Sequence, residues 1–144
     1  MARPLRYPAT RYRPDAPADL GARDVRERLS GPALKAFFNI MARWKVRDED
    51  ARALLGGVSN GPFYEMKRNP DRMLDRDRLT RISYLIGIFK SLQILHNRRL
   101  ANEWVHLPNT NPIFAGQMPL AYMIHGGLPA MQTVRRLLDS RRAG

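Results

Sequence analysis

Apolar residues recur at helical spacing along most of the chain, and no long stretch alternates apolar and polar residues as a strand would. The clearest case is the segment 77–96, DRLTRISYLIGIFKSLQILH, whose apolar residues recur on one helix face. Helices are also predicted over 30–44, 47–56, 59–69 and 97–107, and from Pro119 and Pro129 onward. The pattern therefore predicts an all-α fold.

The segment 44–68, WKVRDEDARALLGGVSNGPFYEMKR, has the order of elements that a helix-turn-helix needs. A short helix ends at Gly56, a turn closes on Val58, and Ser59 begins the next helix, where its hydroxyl is expected to cap the first turn. Ser30 is expected to cap the preceding helix in the same way. The alternative is an ordinary corner between two helices with a solvated basic face.

Within this segment the second helix divides into an inner and an outer side. Val58, Phe63 and Met66 are predicted to be core. The residues predicted to face DNA are Ser59, Asn60, Gly61, Tyr64, Lys67 and Arg68.

Charge supports the nucleic-acid interpretation. The 144 residues carry a formal net charge of +12, which is typical of a chain with a polyanionic partner, most often nucleic acid and less often an anionic membrane. There is no cysteine, so disulfides and thiolate metal sites are excluded, and a reducing cytoplasm is expected. No apolar run reaches the ~20 residues of a membrane span, and no secretory leader is visible.

The basic residues are unevenly distributed, and this suggests a division of the chain. Residues 1–20 combine four prolines with four arginines and are predicted to be a disordered arm, either idle or following DNA phosphates. We expect a helix-turn-helix domain over 21–75 and a dimerisation and partner-binding domain over 76–144. No Lys or Arg occurs from Leu100 to Val134.

The segment 104–127, WVHLPNTNPIFAGQMPLAYMIHGG, is neutral, rich in large apolar residues and interrupted by Pro and Gly. Interface cores are depleted in charge and enriched in aromatic residues and Met, so this segment is a candidate protein-binding surface. The alternative is that Trp104, Leu107 and Leu120 are core residues that hold the loop.

Taken together, the runs EDARALLGGVS, RLTRISYLIGIFKSL and ANEWVHLPNTNPIFAGQMPLAYMIHGGLPAMQTVRRLL resemble the Xre/MbcA/ParS antitoxin family over about residues 30–140. The turn has one glycine more than the family's Leu-Gly-Val-Ser. The resemblance implies an antitoxin that represses its own operon and neutralises a toxin. That toxin is typically a RES-domain enzyme that consumes NAD⁺, or else a related ADP-ribosyltransferase-like enzyme. The toxin-binding residues that it implies are Trp104, Pro108, Asn109, Phe114, Gly116, Pro119 and Leu120.

Two further expectations concern assembly and inhibition. The stripe of Leu79, Ile82, Leu85, Ile86 and Phe89 is expected to mediate a homodimer, with Gly87 allowing a second helix to approach. The last residues, 139–144, are expected to enter the toxin's substrate path through Arg141 or Arg142, unless they are a frayed terminus.

Catalytic chemistry is not indicated. The three histidines, His96, His106 and His125, match no metal-ligand spacing, and no nucleophile triad, phosphate loop or dinucleotide motif is present. We therefore expect no enzyme, cofactor or metal. The alternative to the antitoxin is a stand-alone helix-turn-helix regulator whose C-terminal half dimerises or senses a ligand.

Overall fold

The computed structural model describes residues 19–143, and over this range it contains helices and turns but no strand. The all-α prediction is confirmed. The helices are α1 Arg23–Arg43, α2 Asp48–Leu54, α3 Asn60–Arg68, α4 Arg76–Leu95, α5 Arg98–Glu103 and α6 Pro119–Ala143. Two 3-10 turns, Trp104–His106 and Pro112–Phe114, lie between α5 and α6. The predicted arm 1–20 falls almost wholly outside the described residues.

Helix α1 begins seven residues before the predicted start at Ser30, so the prediction that Ser30 is an N-cap is wrong. Ser30 is buried inside the helix, where its hydroxyl donates to the Arg26 carbonyl and accepts the Leu74 amide at 2.9 Å. A hydroxyl can make this backward bond without ending a helix. Ser30 therefore fixes the loop before α4 against α1.

Helix α4 lies at the centre of the molecule and packs against α1, α5 and α6. Its residues Leu79, Ile82 and Leu85 are buried, and Ile86 and Phe89 pack against the same core. The stripe expected to bind a second copy is thus covered within the chain, because α1 and α6 take up the apolar surface of α4. A homodimer would have to use another surface.

The close approach predicted at Gly87 is present, but the approaching helix is α6 of the same chain. A Cβ atom at Gly87 would lie 1.7 Å from Nη1 of Arg135. The Arg135 guanidinium in turn contacts both carboxylate oxygens of Asp139, at 3.1 and 3.2 Å. The missing side chain of Gly87 therefore makes room for an ion pair on α6.

Helix α6 consists of two segments that meet at Gly127, whose φ of 65° and ψ of −146° are not helical. The first segment starts at Pro119, as predicted, and Pro129 opens the second just after the kink. Val134 and Leu138 of the second segment are fully buried, and Leu137 is partly buried against the core. The predicted packing face of the last helix is confirmed.

The two halves of the chain share one hydrophobic core, which extends from Leu34 in α1 to Leu138 in α6. A polar contact joins them as well, since Nε2 of His106 hydrogen-bonds to the Trp44 carbonyl at the C-terminal end of α1. His106 directly precedes the neutral segment's loop. The loop is therefore attached to the end of α1 that leads into α2.

Candidate functional site

The turn between α2 and α3 uses both glycines of LLGGVS. Gly56 and Gly57 have φ of 94° and 88°, a left-handed conformation that side chains disfavour. Val58 then turns into the core, with 4% of its surface exposed, and α3 begins at Asn60. The additional glycine thus occupies a second left-handed position in the turn. With Asn60 as its first residue, α3 has Asn60, Gly61 and Pro62 in its first turn.

Helix α3 has the predicted two-sided character. Phe63 and Met66 are buried, which confirms them as core together with Val58. The six residues expected to face DNA are all exposed: Ser59, Asn60, Gly61, Tyr64, Lys67 and Arg68. The residues that were singled out from the sequence therefore all lie on the exposed side of α3, which also carries Pro62 and Glu65.

Ser59 occupies the N-cap position of α3, but its hydroxyl makes no capping hydrogen bond, so that part of the prediction is wrong. An N-cap oxygen normally accepts from the second or third amide of the helix. The third position here is Pro62, which has no N–H to donate. The Ser59 hydroxyl is exposed and is not used in capping.

Carboxylates accompany the basic and phenolic groups of α3. The Tyr64 hydroxyl donates to Oδ2 of Asp48 at 3.1 Å, and the Lys67 ammonium lies 3.4 Å from Oδ1 of the same residue. Arg68 pairs with Glu65 at 2.6 Å. The sequence does not link Asp48 to α3, because a contact across 16 to 19 positions has no sequence signal.

In the neutral segment, the residues expected to bind a toxin fall into two groups. Trp104, Phe114, Pro119 and Leu120 are buried, and the Phe114 ring stacks edge-to-face on Trp104 and Tyr122 at centroid distances of 5.9 and 5.2 Å. The alternative interpretation, in which Trp104, Leu107 and Leu120 are core residues, is confirmed for Trp104 and Leu120. It is wrong for Leu107, which follows the first 3-10 turn and is 42% exposed. Pro108 and Gly116 are exposed and Asn109 is partly exposed.

The loop between Leu107 and Met118 is held by its own polar groups. The Asn109 amide donates to the Gln117 carbonyl at 3.3 Å, and the Asn109 and Asn111 side chains accept amides two residues further on. Ala115 and Gly116 have positive φ values of 48° and 83° and reverse the chain. The Pro and Asn residues therefore build a defined turn, as asparagine side chains commonly do.

Sequence reasoning did not select the apolar residues that this loop exposes as a group. Leu107, Ile113 and Met118 are 42%, 36% and 38% exposed, and we call them the neutral patch. The backbone bond from Asn109 to Gln117 brings the two ends of the loop together, and with them Leu107 and Met118. That Ile113 is exposed while its neighbour Phe114 is buried follows from the 3-10 turn Pro112–Phe114.

The C-terminal residues form part of α6, which continues to Ala143. Arg142 is partly buried and donates to the Ser91 hydroxyl on α4 at 3.1 Å, whereas Arg141 is exposed. Ser91 also lies 3.5 Å from the Asp139 carboxylate. Of the two arginines expected to enter a toxin, only Arg141 faces outward.

The described residues contain no group of three or more His, Asp or Glu side chains placed to share a metal ion. Within residues 19–143, no helix is both long enough and apolar enough to cross a bilayer.

Comparison with known proteins bears on the helix-turn-helix. Residues 23–87 match the family described as the antitoxin Xre-like helix-turn-helix domain, a range that contains α1 to α3 and half of α4. Over 112 residues the chain is 33% identical to the uncharacterized protein y4oB of Sinorhizobium fredii (strain NBRC 101917 / NGR234). The matched stretch covers 77% of this chain and 84% of protein y4oB. No solved structure matches the chain significantly.

Proposed function

Because the chain belongs to the same family as protein y4oB and carries an antitoxin Xre-like helix-turn-helix domain, we propose that it is an antitoxin that binds a toxin and represses its own operon. In this proposal α3 reads operator DNA and the neutral patch binds the toxin. The division of labour follows the expected domains, 21–75 for DNA and 76–144 for the partner, although both share one core.

The observation that carries the DNA-binding proposal is the two-sided packing of α3. Phe63 and Met66 fix the helix to the core, and this leaves the opposite side available to a groove. In a helix-turn-helix the first turn of the second helix reaches the base edges, a position held here by Asn60 and Gly61. Lys67 and Arg68, one or two turns further on, are suited to phosphates.

The partner that we propose is a RES-domain toxin, on the strength of the motif that runs from Trp104 to Gly127. The contacts we assign are Leu107, Ile113 and Met118, together with the exposed backbone at Pro108 and Gly116. Trp104, Phe114, Pro119 and Leu120 act from beneath, by fixing the shape of the loop. Asn109 has the same supporting role through its hydrogen bonds.

Inhibition by the C-terminal end is a second part of the proposal. If residues 139–144 enter the toxin's substrate path, Arg141 is the residue positioned to pair with acidic groups there, because Arg142 is engaged with Ser91. Truncation after Leu138 would then leave toxin binding in place and restore NAD⁺ consumption. Full inhibition by the truncated protein would assign the block to the neutral segment instead.

The experiment that tests the whole proposal is co-expression with the adjacent gene, followed by affinity capture and a DNA-binding assay on the promoter. We expect the neighbour's product to be retained at a defined ratio and the complex or free protein to shift the promoter fragment. Promoter binding without any retained neighbour would favour the stand-alone regulator. Capture without promoter binding would remove the repressor role.

A further inference from the structure

Asp48, the first residue of α2, contacts the exposed side of α3 at two points. One carboxylate oxygen accepts from the Tyr64 hydroxyl at 3.1 Å, and the other lies 3.4 Å from the Lys67 ammonium. Tyr64 and Lys67 are three residues apart and therefore lie on one face of the helix. A single carboxylate thus holds two of the groups assigned to DNA contact.

This arrangement distinguishes Asp48 from its acidic neighbours. Asp50, two residues on, pairs with Arg47 at 3.4 Å within the same stretch of chain. Among the ion pairs formed within residues 19–143, Lys67 with Asp48 is the one that joins α3 to another helix. Asp48 is consequently the acid from another helix that contacts the exposed side of α3, whereas Glu65, which pairs with Arg68, belongs to α3 itself.

The ion pair is accessible to exchange. The Lys67 and Asp48 side chains are 50% and 42% exposed, so water and other anions can compete for the ammonium. Exposed pairs of this kind contribute little to stability. A DNA phosphate that approached Lys67 would take the position of the carboxylate and would be repelled by it at close range.

We propose that Asp48 stands in for a DNA phosphate in the free protein and lowers the affinity of α3 for any duplex, an inference that rests on the proposed DNA-binding function. Tyr64 and Lys67 must leave Asp48 before they can hold the DNA backbone. Because phosphate contacts carry no sequence information, the penalty applies equally to operator and unrelated DNA. Asp48 therefore sets how readily the protein leaves DNA, and not which sequence it prefers.

The test compares Asp48→Asn with Asp50→Asn, which removes the same charge from the same helical turn without touching α3. Binding to a promoter duplex and to an unrelated duplex of equal length is measured by fluorescence anisotropy over a range of salt concentrations. Asp48→Asn should tighten binding to both duplexes by about three- to tenfold at low salt. Its salt dependence should become steeper by up to about one unit of slope, since Lys67 would exchange only bulk counterions for phosphate.

Each of the following results would overturn the inference. Equal effects of the two variants would show a general charge effect, and weaker binding by Asp48→Asn would show that Asp48 orients α3 for DNA. A gain that persists when Lys67→Ala is added to Asp48→Asn would show that Lys67 is not the group released. In the double variant we expect the gain to be abolished.

The contact itself is tested without DNA by NMR of the free protein. The Tyr64 ring and the Lys67 side-chain signals should shift in Asp48→Asn and stay in place in Asp50→Asn. If they do not move in either variant, the inference fails at its first step. A wild-type protein that binds neither duplex overturns the proposed DNA-binding function and the inference with it, whereas wild-type binding with an unchanged Asp48→Asn variant overturns the inference alone.

Discussion

Three polar side chains on the exposed side of α3 are already engaged with carboxylates, whereas the neutral patch consists of apolar side chains exposed to solvent in a loop whose Phe114 belongs to a buried aromatic cluster. Tyr64 and Lys67 contact Asp48, whereas Leu107 and Met118 are exposed in the loop whose Phe114 ring stacks on Trp104. The polar groups on α3 can exchange a carboxylate for water or another anion. The neutral patch is stabilised only when a partner buries its apolar side chains.

This difference implies different modes of recognition. A surface of charged groups binds through counterion release and depends on salt, whereas an apolar patch depends on shape and on the rigidity of what lies beneath it. The left-handed residues Ala115 and Gly116 and the asparagine bonds fix the loop's shape before any partner arrives. The two surfaces should therefore respond to different substitutions.

The largest effect is expected from Phe114→Ala. The ring is fully buried between Trp104 and Tyr122, so its removal should cost about 3–5 kcal/mol of unfolding free energy, because the neighbouring rings lose their packing and a cavity remains. Chemical denaturation measures this cost. Ile113→Ala, on the exposed side of the same turn, is the control and should cost well under half as much. Equal costs would show that the aromatic cluster does not support the loop.

The next effect concerns the neutral patch itself. Leu107→Ser combined with Met118→Ser should weaken toxin binding by about 1–3 kcal/mol, since exposed apolar anchors lose their burial in the complex. Stability and promoter binding should remain within error. Calorimetric titration with the co-expressed toxin provides the affinity, and Ile94→Ser, an exposed apolar residue of α4, provides the control. Unchanged toxin affinity would show that the toxin binds a surface other than the neutral patch.

A smaller effect is expected where the two regions are joined. His106→Ala removes the ring that bonds to the Trp44 carbonyl and should cost about 1–2 kcal/mol of stability, because a partly buried carbonyl loses its partner. His125→Ala, at an exposed position of α6, should change stability by less than about 0.5 kcal/mol. Thermal denaturation of both variants decides. Equivalent curves would mean that the hydrogen bond contributes nothing to joining the halves.

The sequence predicted the features that depend on local pattern. The helix class, the start of α3, the core side of α3 and the Pro119 start of α6 follow from apolar spacing and from Pro and Gly positions, which act within a few residues. The helix-turn-helix was predicted from the order of elements in residues 44–68, and the family match over residues 23–87 supports it.

What the sequence could not predict depends on contacts between distant residues. Ser30 was assigned to a helix end because serine is a common N-cap. Its actual hydrogen bond, to the Leu74 amide, spans 44 positions and has no sequence signal. The stripe on α4 was assigned to a dimer because nothing in the sequence shows that α1 and α6 cover it. Asp48 was overlooked for the same reason. In the neutral segment, the sequence shows many apolar residues, but which of them are buried depends on the two 3-10 turns.

The central claim is that α3 contacts DNA phosphates through Lys67 and Arg68, and the salt dependence of promoter binding tests it most directly. Replacing both with Ala should weaken binding and reduce the slope of log affinity against log salt by roughly one unit for each phosphate that is no longer neutralised. The Leu107→Ser and Met118→Ser variant serves as the reference and should retain the wild-type slope. Wild-type affinity and slope in the Lys67→Ala and Arg68→Ala variant would contradict the account, because α3 would then not be the element that binds DNA.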